Sequence, residues 1–385
     1  MVDKTIISFF KENYNDNPLI IKAPGRINLI GEHTDYNKGL VLPASIEKGI
    51  YFAVSANNSD TIRIEAFLSQ PEKIEFALNG THKEFNSFWG NYFKAIIEIL
   101  NSKNYPIKGM DCVFGGDIPI GSGLSSSAAL CCGFIYAISK ISGKELAREE
   151  IALVAQKAEH KIGLNCGLMD QYAVLFGKKG NAFFLDCNDL THSYIPINLI
   201  GYSWVLVNSN IKHNLAVDSE YNKRRISCEN IVQEVKLTKP DVSSLRDVTL
   251  EDLNKISDKI YATDIKRAKY IIVENERVRR MMKALIKGDA QEVGNILKEG
   301  HWAMSTQYEI TTPELDALVK IGETLEGVLG SRMMGGGFGG CTINLIHTSK
   351  LESSISSLLK AYKSQTNIDA EYYHLEIDDG LKVYT

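Results

Sequence analysis

The sequence predicts an α+β protein made of two mixed domains. Its 385 residues exceed what one average hydrophobic core accommodates, so two domains are the natural expectation. Segments with strand-like and helical hydrophobic spacing are mixed in both halves of the chain. An irregular stretch at 188–201 separates the halves, so we expect an N-terminal domain over 1–195 and a C-terminal domain over 196–385, with terminal segments free to cross between them.

Hydrophobic spacing assigns the individual segments. In the N-terminal half it predicts helices at 5–14, 89–100 and 145–160, and a further helix that opens from 121–129 and runs to about residue 140. Strands are predicted at 19–21, 50–66, 110–114 and 181–187. In the C-terminal half the same patterns predict strands at 202–208, 342–346 and 371–376, and helices at 218–236, 262–286, 289–305 and 350–363.

The charge balance disfavours some partners. The chain carries 43 basic and 47 acidic residues, a formal net charge of −4. No basic stripe stands out, so we do not expect nucleic acid to bind. The densest cationic run, Lys223-Arg224-Arg225, falls in a predicted helix, and we interpret it as a solvated helix face.

The cysteines and the apolar segments bear on the compartment. Seven cysteines are present, an odd number, and no Cys-x-x-Cys spacing occurs, so buried thiols are favoured over disulfides or zinc. The first residues lack the cationic start and apolar core of a signal peptide, and no run of 18 apolar residues could span a membrane. We therefore expect a cytoplasmic protein with no membrane partner.

A polar run follows an apolar segment at residues 24–43. Arg26 lies beside a Pro-Gly turn, and Glu32, His33, Thr34 and Asp35 follow Gly31 without interruption. Four adjacent side chains that can all form hydrogen bonds suit a polyol better than an apolar ligand. The run therefore predicts a site for a sugar-like molecule.

A second motif, Gly121-Ser122-Gly123-Leu124-Ser125-Ser126-Ser127-Ala128-Ala129, opens a predicted helix. Glycines let the backbone approach a ligand closely, and the first free amides of a helix form an anion site. The serines could cap these amides, bind phosphate oxygens or ligate magnesium. An ordinary helix cap with a tight loop is the alternative, and the Gly-Lys-Ser/Thr ending of a Walker A motif is absent.

A third motif, residues 335–340, has five glycines in six positions between apolar segments. Such density indicates backbone that approaches another group closely, with a flexible linker as the alternative. Two acids stand out by position. Asp170 lies inside an apolar run, where it is either functional or a helix cap, and Glu159 ends an amphipathic helix, where a solvated charge is the ordinary interpretation. The histidines show no metal-ligand spacing, which disfavours catalytic zinc.

Residues 25–37, Gly-Arg-Ile-Asn-Leu-Ile-Gly-Glu-His-Thr-Asp-Tyr-Asn, resemble the signature of the galactokinase family. Residues 123–128 and 335–340 resemble the second and third motifs of the wider superfamily of galactokinase, homoserine kinase, mevalonate kinase and phosphomevalonate kinase. Those two motifs specify only the superfamily. The first is more specific, because the sister kinases lack Glu-His-Thr-Asp after the glycine.

The resemblance implies a two-domain kinase with its active site at the domain interface. The N-terminal domain would carry the phosphate loop, and the C-terminal domain the glycine-rich loop that packs against it. The implied reaction is transfer of the γ-phosphoryl group of ATP to the anomeric hydroxyl of α-D-galactose, the entry step of galactose metabolism, with Mg²⁺ as the metal ion. Such a reaction depends mainly on positioning and charge stabilisation.

Motif positions imply the roles of individual residues. Asp170 matches the general base, and Arg26 matches the cation beside that base and the transferred group. The implied sugar site comprises Glu32, His33, Asp35, Gly167 and Tyr221, and Thr34 is grouped with it as part of the same polar run. The implied phosphate loop comprises Gly121, Ser122, Gly123, Leu124, Ser125, Ser126 and Ser127. Ser127 and Glu159 match the magnesium ligands.

Some alternatives stay open within this resemblance. A kinase for N-acetylgalactosamine or another galactose-like sugar would differ in the pocket around the second carbon of the sugar. A non-catalytic galactose sensor would lose part of the phosphate-loop Ser-Ala pair, whereas Ser127 and Ala128 are intact here. The chain is one residue shorter than the family pattern between Glu159 and Asp170, and we place this deletion at 161–163. A monomer is the family's default state and our expectation.

Overall fold

The computed structural model describes residues 2–14, 17–67, 72–78, 84–119, 121–211 and 216–384. Its helices are α1 (Val2–Asn13), α2 (Phe88–Ser102), α3 (Ser126–Ser142), α4 (Arg148–Lys161), α5 (Met169–Phe176), α6 (Ala216–Lys236), α7 (Leu250–Ile256), α8 (Ala262–Lys287), α9 (Ala290–Ala303), α10 (Pro313–Gly322) and α11 (Leu351–Thr366). Its strands are β1 (Leu19–Asn28), β2 (Leu40–Val41), β3 (Pro43–Ala56), β4 (Thr61–Ala66), β5 (Glu72–Ala77), β6 (Met110–Gly116), β7 (Asn181–Asp186), β8 (His192–Pro196), β9 (Tyr202–Asn208), β10 (Val328–Met333), β11 (Cys341–His347), β12 (Glu371–Leu375) and β13 (Lys382–Val383).

The N-terminal half is built on a six-stranded sheet in the order β13-β1-β3-β6-β4-β5. The β4–β6 pair is parallel and the other pairs are antiparallel. Apolar side chains of the sheet, such as Phe52, pack in one buried cluster with Phe93 of α2 and Phe134 of α3. The last strand, β13, crosses over from the end of the chain and pairs with β1, so the two ends of the chain meet in one sheet.

The C-terminal half contains a four-stranded antiparallel sheet in the order β10-β11-β9-β12. Helix α9 packs against β10, and α8 packs against α6 and α9. A five-residue π-helix, Met304–Tyr308, directly follows α9. A buried apolar cluster joins the two halves, since Ile27 and Ile30 pack in the same core as Leu206 of β9 and Ile343 of β11. The α+β class with two mixed domains is thereby confirmed.

Three predictions of local structure were wrong. Pro24 and Gly25 form no turn before Arg26, because β1 continues through them to Asn28 and only its register with β3 shifts between Pro24 and Arg26. The stretch 188–201 is not irregular throughout, because β8 lies within it and pairs with β7. Only Ile195 of this edge strand is buried, so its sequence carries little hydrophobic periodicity. The stretch 50–66 is two strands, because the turn-forming residues 57–60, Asn-Asn-Ser-Asp, separate β3 from β4.

The cysteines match the expectation of free thiols. All seven are unpaired, and five of them are buried. Within the described residues, no helix is both long enough and apolar enough to cross a bilayer.

Candidate active site

A cavity of about 370 Å³ lies between the two halves of the chain. Its walls come from the end of β1, the phosphate loop, the turn before α5, the start of α6 and the loop between β10 and β11. The predicted residues that line it are Arg26, Glu32, His33, Asp35, Gly121, Ser122, Gly123, Leu124, Ser125, Ser126, Ser127, Glu159, Gly167, Asp170 and Tyr221. Thr34 does not line it: its buried hydroxyl shares one hydrogen between the carbonyl oxygens of Gly31, at 2.9 Å, and Leu40, at 2.7 Å.

Asp170 is held between a cation and a hydroxyl. Arg26 Nε donates to Asp170 Oδ1 at 2.8 Å, and Ser125 Oγ donates to Asp170 Oδ2 at 2.5 Å. Asp170 is the second residue of α5, but its carboxylate binds these two side chains rather than capping the helix. The side chain is 28% exposed, so the carboxylate is fixed in place yet open to the cavity.

The phosphate loop is fastened to β1. The Arg26 amide donates to the Leu124 carbonyl at 3.1 Å, and Arg26 Nη1 donates to the Gly123 carbonyl at 2.5 Å. Ser125 precedes α3 with a left-handed backbone, φ 56°, and makes no cap hydrogen bond because its hydroxyl is engaged by Asp170. The first amides of a 17-residue helix are therefore left without a side-chain cap beside the cavity, which favours an anion there.

Asp35 faces Gly167 at close range. The Asp35 carboxylate accepts hydrogen bonds from the amides of Tyr36, at 2.9 Å, and of Met169. A methyl group on Gly167 would come within 2.0 Å of Asp35 Oδ2, so only glycine allows this approach. Burial, together with the nearby charge of Asp170, raises the pKa of Asp35 to about 6.

Glu32 is bound by Arg332, which the sequence interpretation did not single out, and by Gly335 of the third motif. Arg332 Nη1 donates to Glu32 Oε2 in an ion pair whose two side chains are essentially unexposed. The other oxygen, Oε1, accepts from the Gly335 amide at 3.2 Å. Burial raises the pKa of Glu32 above its usual value, and the nearby Arg332 opposes part of this rise. Glu32 therefore lines the cavity while it also holds the start of the glycine-rich loop.

His33 is a neutral, buried histidine. Its backbone is left-handed, φ 61°, and its ring contacts the Tyr36 hydroxyl through Nδ1 at 2.7 Å and the Gly336 carbonyl through Nε2 at 3.1 Å. Burial lowers the pKa of His33 to about 4, so the ring carries no charge at neutral pH.

Glu159 is buried rather than solvated, so the ordinary interpretation of its position was wrong. It is 3% exposed, and burial raises its pKa to about 7. The Ser127 hydroxyl hydrogen-bonds the carboxylate and lowers its pKa, Gln171 Nε2 donates to Oε2, and the Cys166 thiol lies 3.7 Å from that oxygen. The shortened turn at 161–163 is thus compatible with Glu159 and Asp170 lining the same cavity.

Tyr221 reaches the cavity from the first turns of α6, and Arg224 anchors that helix. Arg224 is buried, donates from Nε to the Tyr308 carbonyl at 3.1 Å, and packs 5.0 Å from the ring centre of Phe338 in the glycine-rich loop. The interpretation of 223–225 as a solvated face was therefore wrong for Arg224, which pairs with Glu220 on its own helix and also binds Tyr308 and Phe338, both far away in sequence. The glycine-rich loop is not a free linker either, because a methyl group on Gly337, φ 86°, would come within 2.3 Å of the Ile310 carbonyl oxygen.

The family models agree with this arrangement. Residues 8–56 match the galactokinase galactose-binding signature, 91–178 match the N-terminal domain of GHMP kinases, and 281–364 match their C-terminal domain.

Relatives and solved structures extend the match to the whole chain. The galactokinase of Fusobacterium nucleatum is 38% identical over 98% of both chains, and that of Thermotoga maritima is 36% identical over 94% of this chain and 99% of its own. The crystal structure of Lactococcus lactis galactokinase complexed with galactose superposes with a TM-score of 0.93, at 33% identity over 100% of both chains. The mevalonate kinase of Methanococcus jannaschii, 20% identical with a TM-score of 0.64 over 94% of this chain and 99% of its own, shares the fold. With full-length similarity at this level and a matching galactose-binding signature, the chain belongs to the galactokinase family.

Proposed function

We propose that this chain transfers the γ-phosphoryl group of ATP to the anomeric hydroxyl of α-D-galactose and releases α-D-galactose 1-phosphate and ADP. One observation carries the proposal beyond family membership. Asp170 is fixed by Arg26 and Ser125 at the point where the sugar motif meets the phosphate loop. A carboxylate at this junction would face both a bound sugar hydroxyl and the phosphate that the hydroxyl attacks.

Asp170 would act as the base in this reaction. Its two oxygens are oriented by Arg26 and Ser125, and its partial exposure lets a hydroxyl approach. Asp170 would accept or orient the proton of the anomeric hydroxyl, which is more acidic than an ordinary alcohol. Arg26 would stabilise the negative charge on the transferred group, and the free amides at the start of α3 would hold the phosphates.

The sugar would bind against Glu32, His33, Asp35, Gly167 and Tyr221. Asp35 and Tyr221 lie toward the face that would carry the axial hydroxyl of galactose, by their match to the family positions. Glucose differs only in making this hydroxyl equatorial. It would leave buried polar partners unpaired, at a penalty of about 1–3 kcal/mol for each group. Strong rejection of glucose is expected for this reason. We assign no sugar contact to Thr34, because its hydroxyl is used inside the loop.

The residues around Ser127 and Glu159 fit a magnesium ion. Hydroxyl and carboxylate oxygens are ligands that Mg²⁺ accepts, and a cation would offset the buried charge of Glu159. The described residues hold no cluster of three or more His, Cys, Asp or Glu suited to a metal, so phosphate oxygens and water would complete the shell. Four carboxylates line the cavity, and among its described lining residues Arg26 is the cationic side chain, so a polyphosphate needs a further cation. When bound, Mg²⁺ would neutralise charge on the transferred phosphoryl group.

A sugar panel tests the proposed function. The purified chain would be assayed with ATP and Mg²⁺ against galactose, glucose and N-acetylgalactosamine, with ADP release as the readout. We expect kcat/KM for galactose to exceed that for glucose by about 10³-fold or more. The product should have lost its reducing end, because phosphorylation at the anomeric carbon blocks ring opening. Comparable values for galactose and glucose would refute the assignment, and a preference for the N-acetylated sugar would favour that alternative, for which the relatives above give no support.

The division at residue 195, the monomeric state and the cytoplasmic location stay predictions. The crossing of β13 into the N-terminal sheet supports only the expectation that a terminal segment leaves its own half. Size-exclusion chromatography with light scattering would test the monomer.

A further inference from the structure

Two neighbouring residues of one loop hold two neighbouring residues of another. We call residues 31–39 the sugar loop and residues 335–340 the glycine loop. The Gly335 amide donates to Glu32 Oε1 at 3.2 Å, and the Gly336 carbonyl contacts His33 Nε2 at 3.1 Å. In both contacts the two partners lie 303 residues apart in the sequence. The sugar loop therefore holds the first two residues of the glycine loop, while Ile310 and Ile211 bind the amides of Phe338 and Gly340.

The partners of His33 determine its tautomer. A carbonyl oxygen can only accept, so Nε2 must carry the hydrogen that binds Gly336. In the neutral ring Nδ1 is then an acceptor, and the Tyr36 hydroxyl at 2.7 Å must be the donor. If Tyr36 lost its hydroxyl, either tautomer would become available, and one of them cannot bind Gly336.

A second tyrosine fixes the direction of the Tyr36 hydroxyl. The Tyr308 hydroxyl lies 2.8 Å from the Tyr36 oxygen, and it donates there because the Tyr36 hydrogen points to His33. Tyr308 is fully buried and also contacts the Cys228 sulfur, at 3.5 Å. A chain of donors thus runs from Tyr308 through Tyr36 and His33 to Gly336.

Ring packing restricts the movement of His33 away from its hydrogen-bond partners. The ring centres of Tyr221 and Tyr308 lie 4.9 Å and 5.1 Å from the centre of its ring. The left-handed backbone of His33, φ 61°, is uncommon for a residue with a side chain, and it persists because these contacts hold it.

The glycine loop in turn borders the phosphate loop. A methyl group on Gly335 would lie 3.6 Å from the Gly123 carbonyl oxygen, which is ordinary van der Waals contact. Gly335, Gly336 and Gly337 line the same cavity as Ser125 and Ser126. A change in the glycine loop therefore changes the wall beside the phosphate loop.

We propose that Glu32 and His33 clamp the glycine loop so that binding of sugar and binding of nucleotide are positively coupled, with Tyr36 and Tyr308 as positioning residues that hold His33 in the required tautomer. The inference rests on the proposed function and adds communication between its two sites. A sugar that binds against Glu32 and His33 stabilises the arrangement in which these two residues hold Gly335 and Gly336. The glycine loop is then already held when the nucleotide arrives, so the ordering entropy is lost only once.

The test measures ADP binding calorimetrically in Mg²⁺ buffer, with and without saturating galactose. ADP and galactose do not react with each other, so both can be present at equilibrium. In the unmodified protein we expect galactose to tighten ADP binding by about 5- to 20-fold, and ADP to tighten galactose binding by the same factor. Tyr36→Phe should lower this factor to about 2 or less, and Tyr308→Phe should lower it to a smaller extent.

Tyr105→Phe is the matched control. Tyr105 is also buried, and its hydroxyl donates to the Lys144 carbonyl; neither residue lines the described cavity or belongs to the glycine loop. It should lose a hydrogen bond and keep the coupling factor, whereas a general loss of packing would change the factor in all three variants.

Hydrogen exchange on the unmodified protein tests whether galactose stabilises the glycine loop. It needs no variant, so the test stands even if a variant fails to fold. Galactose alone should slow exchange of the amides at 335–340. Galactose binding without coupling to ADP, a coupling factor unchanged in folded Tyr36→Phe, or an unprotected glycine loop would each overturn the clamp while the kinase assignment stands. Failure of the unmodified protein to bind galactose would overturn the proposed function and the clamp with it.

Discussion

Substituting Gly167 with alanine should lower activity toward galactose through a steric effect in the sugar site, and not through a loss of fold stability. The new methyl group would lie 2.0 Å from Asp35 Oδ2, whereas carbon and oxygen do not approach much below about 3.2 Å without repulsion. The carboxylate must therefore retreat by about 1 Å, and a displacement of this size near reacting groups can lower a rate about 10²-fold. We expect kcat/KM for galactose to fall by about that factor and KM for ATP to change by less than about threefold.

The assay compares steady-state kinetics and urea unfolding for Gly167→Ala and a control, Gly180→Ala. A methyl group on Gly180 meets no atom within 4 Å, but its backbone, φ 72°, is unfavourable for alanine. The control should lose about 1 kcal/mol of stability and keep its activity. A Gly167→Ala protein that retains kcat/KM for galactose within about threefold of the parent would refute the steric argument.

Four further predictions follow from the same site. Asp170→Asn should remove most of kcat while galactose still binds, and near-normal turnover in a folded variant would refute the role of base. Ser127→Ala should lower Mg²⁺-dependent turnover more than it weakens galactose binding, so unchanged kinetics with both galactose and ATP–Mg²⁺ would refute the ligand assignment. Asp35→Ala should lower the preference for galactose over glucose in a kcat/KM comparison, because the discriminating acceptor is gone; an unchanged ratio contradicts this. Because burial raises the pKa of Asp35 from 3.8 to about 6, the sugar-free folded protein binds more protons than the unfolded chain between these values. This contribution to the free energy of unfolding is present below pH 4 and is lost as the pH rises through 6. It amounts to about 1–3 kcal/mol after allowance for water in the cavity. In urea titrations at pH 4 and pH 7, Asp35→Asn should reduce the difference between the two free energies of unfolding.

The sequence by itself determined the fold class and most of the cavity wall. The three motifs are contiguous, so the residue types that contact a ligand stand side by side in the chain, as in Glu32, His33 and Asp35. Strands and helices that bury one face repeat their apolar residues at fixed spacing, which is why segments such as 202–208 and 262–286 were predicted within a few residues of their observed bounds. Thr34 shows the limit of this reasoning, because a residue inside a motif can face its own loop.

Only the tertiary structure decided which partner each polar group takes. The Ser125 hydroxyl could cap α3 or bind a ligand on sequence grounds, and the fold gives it to Asp170, 45 residues away. Arg332 shows no pattern that distinguishes it from a surface arginine, yet it neutralises Glu32, which lies 300 residues earlier. The sequence pattern places Arg224 in solvent, because its buried partners, such as the Tyr308 carbonyl, lie outside its own helix. Hydrogen bonds and ion pairs act over a few ångströms, so they depend on which distant segments the folded core brings together, and spacing along the chain carries no information about that choice.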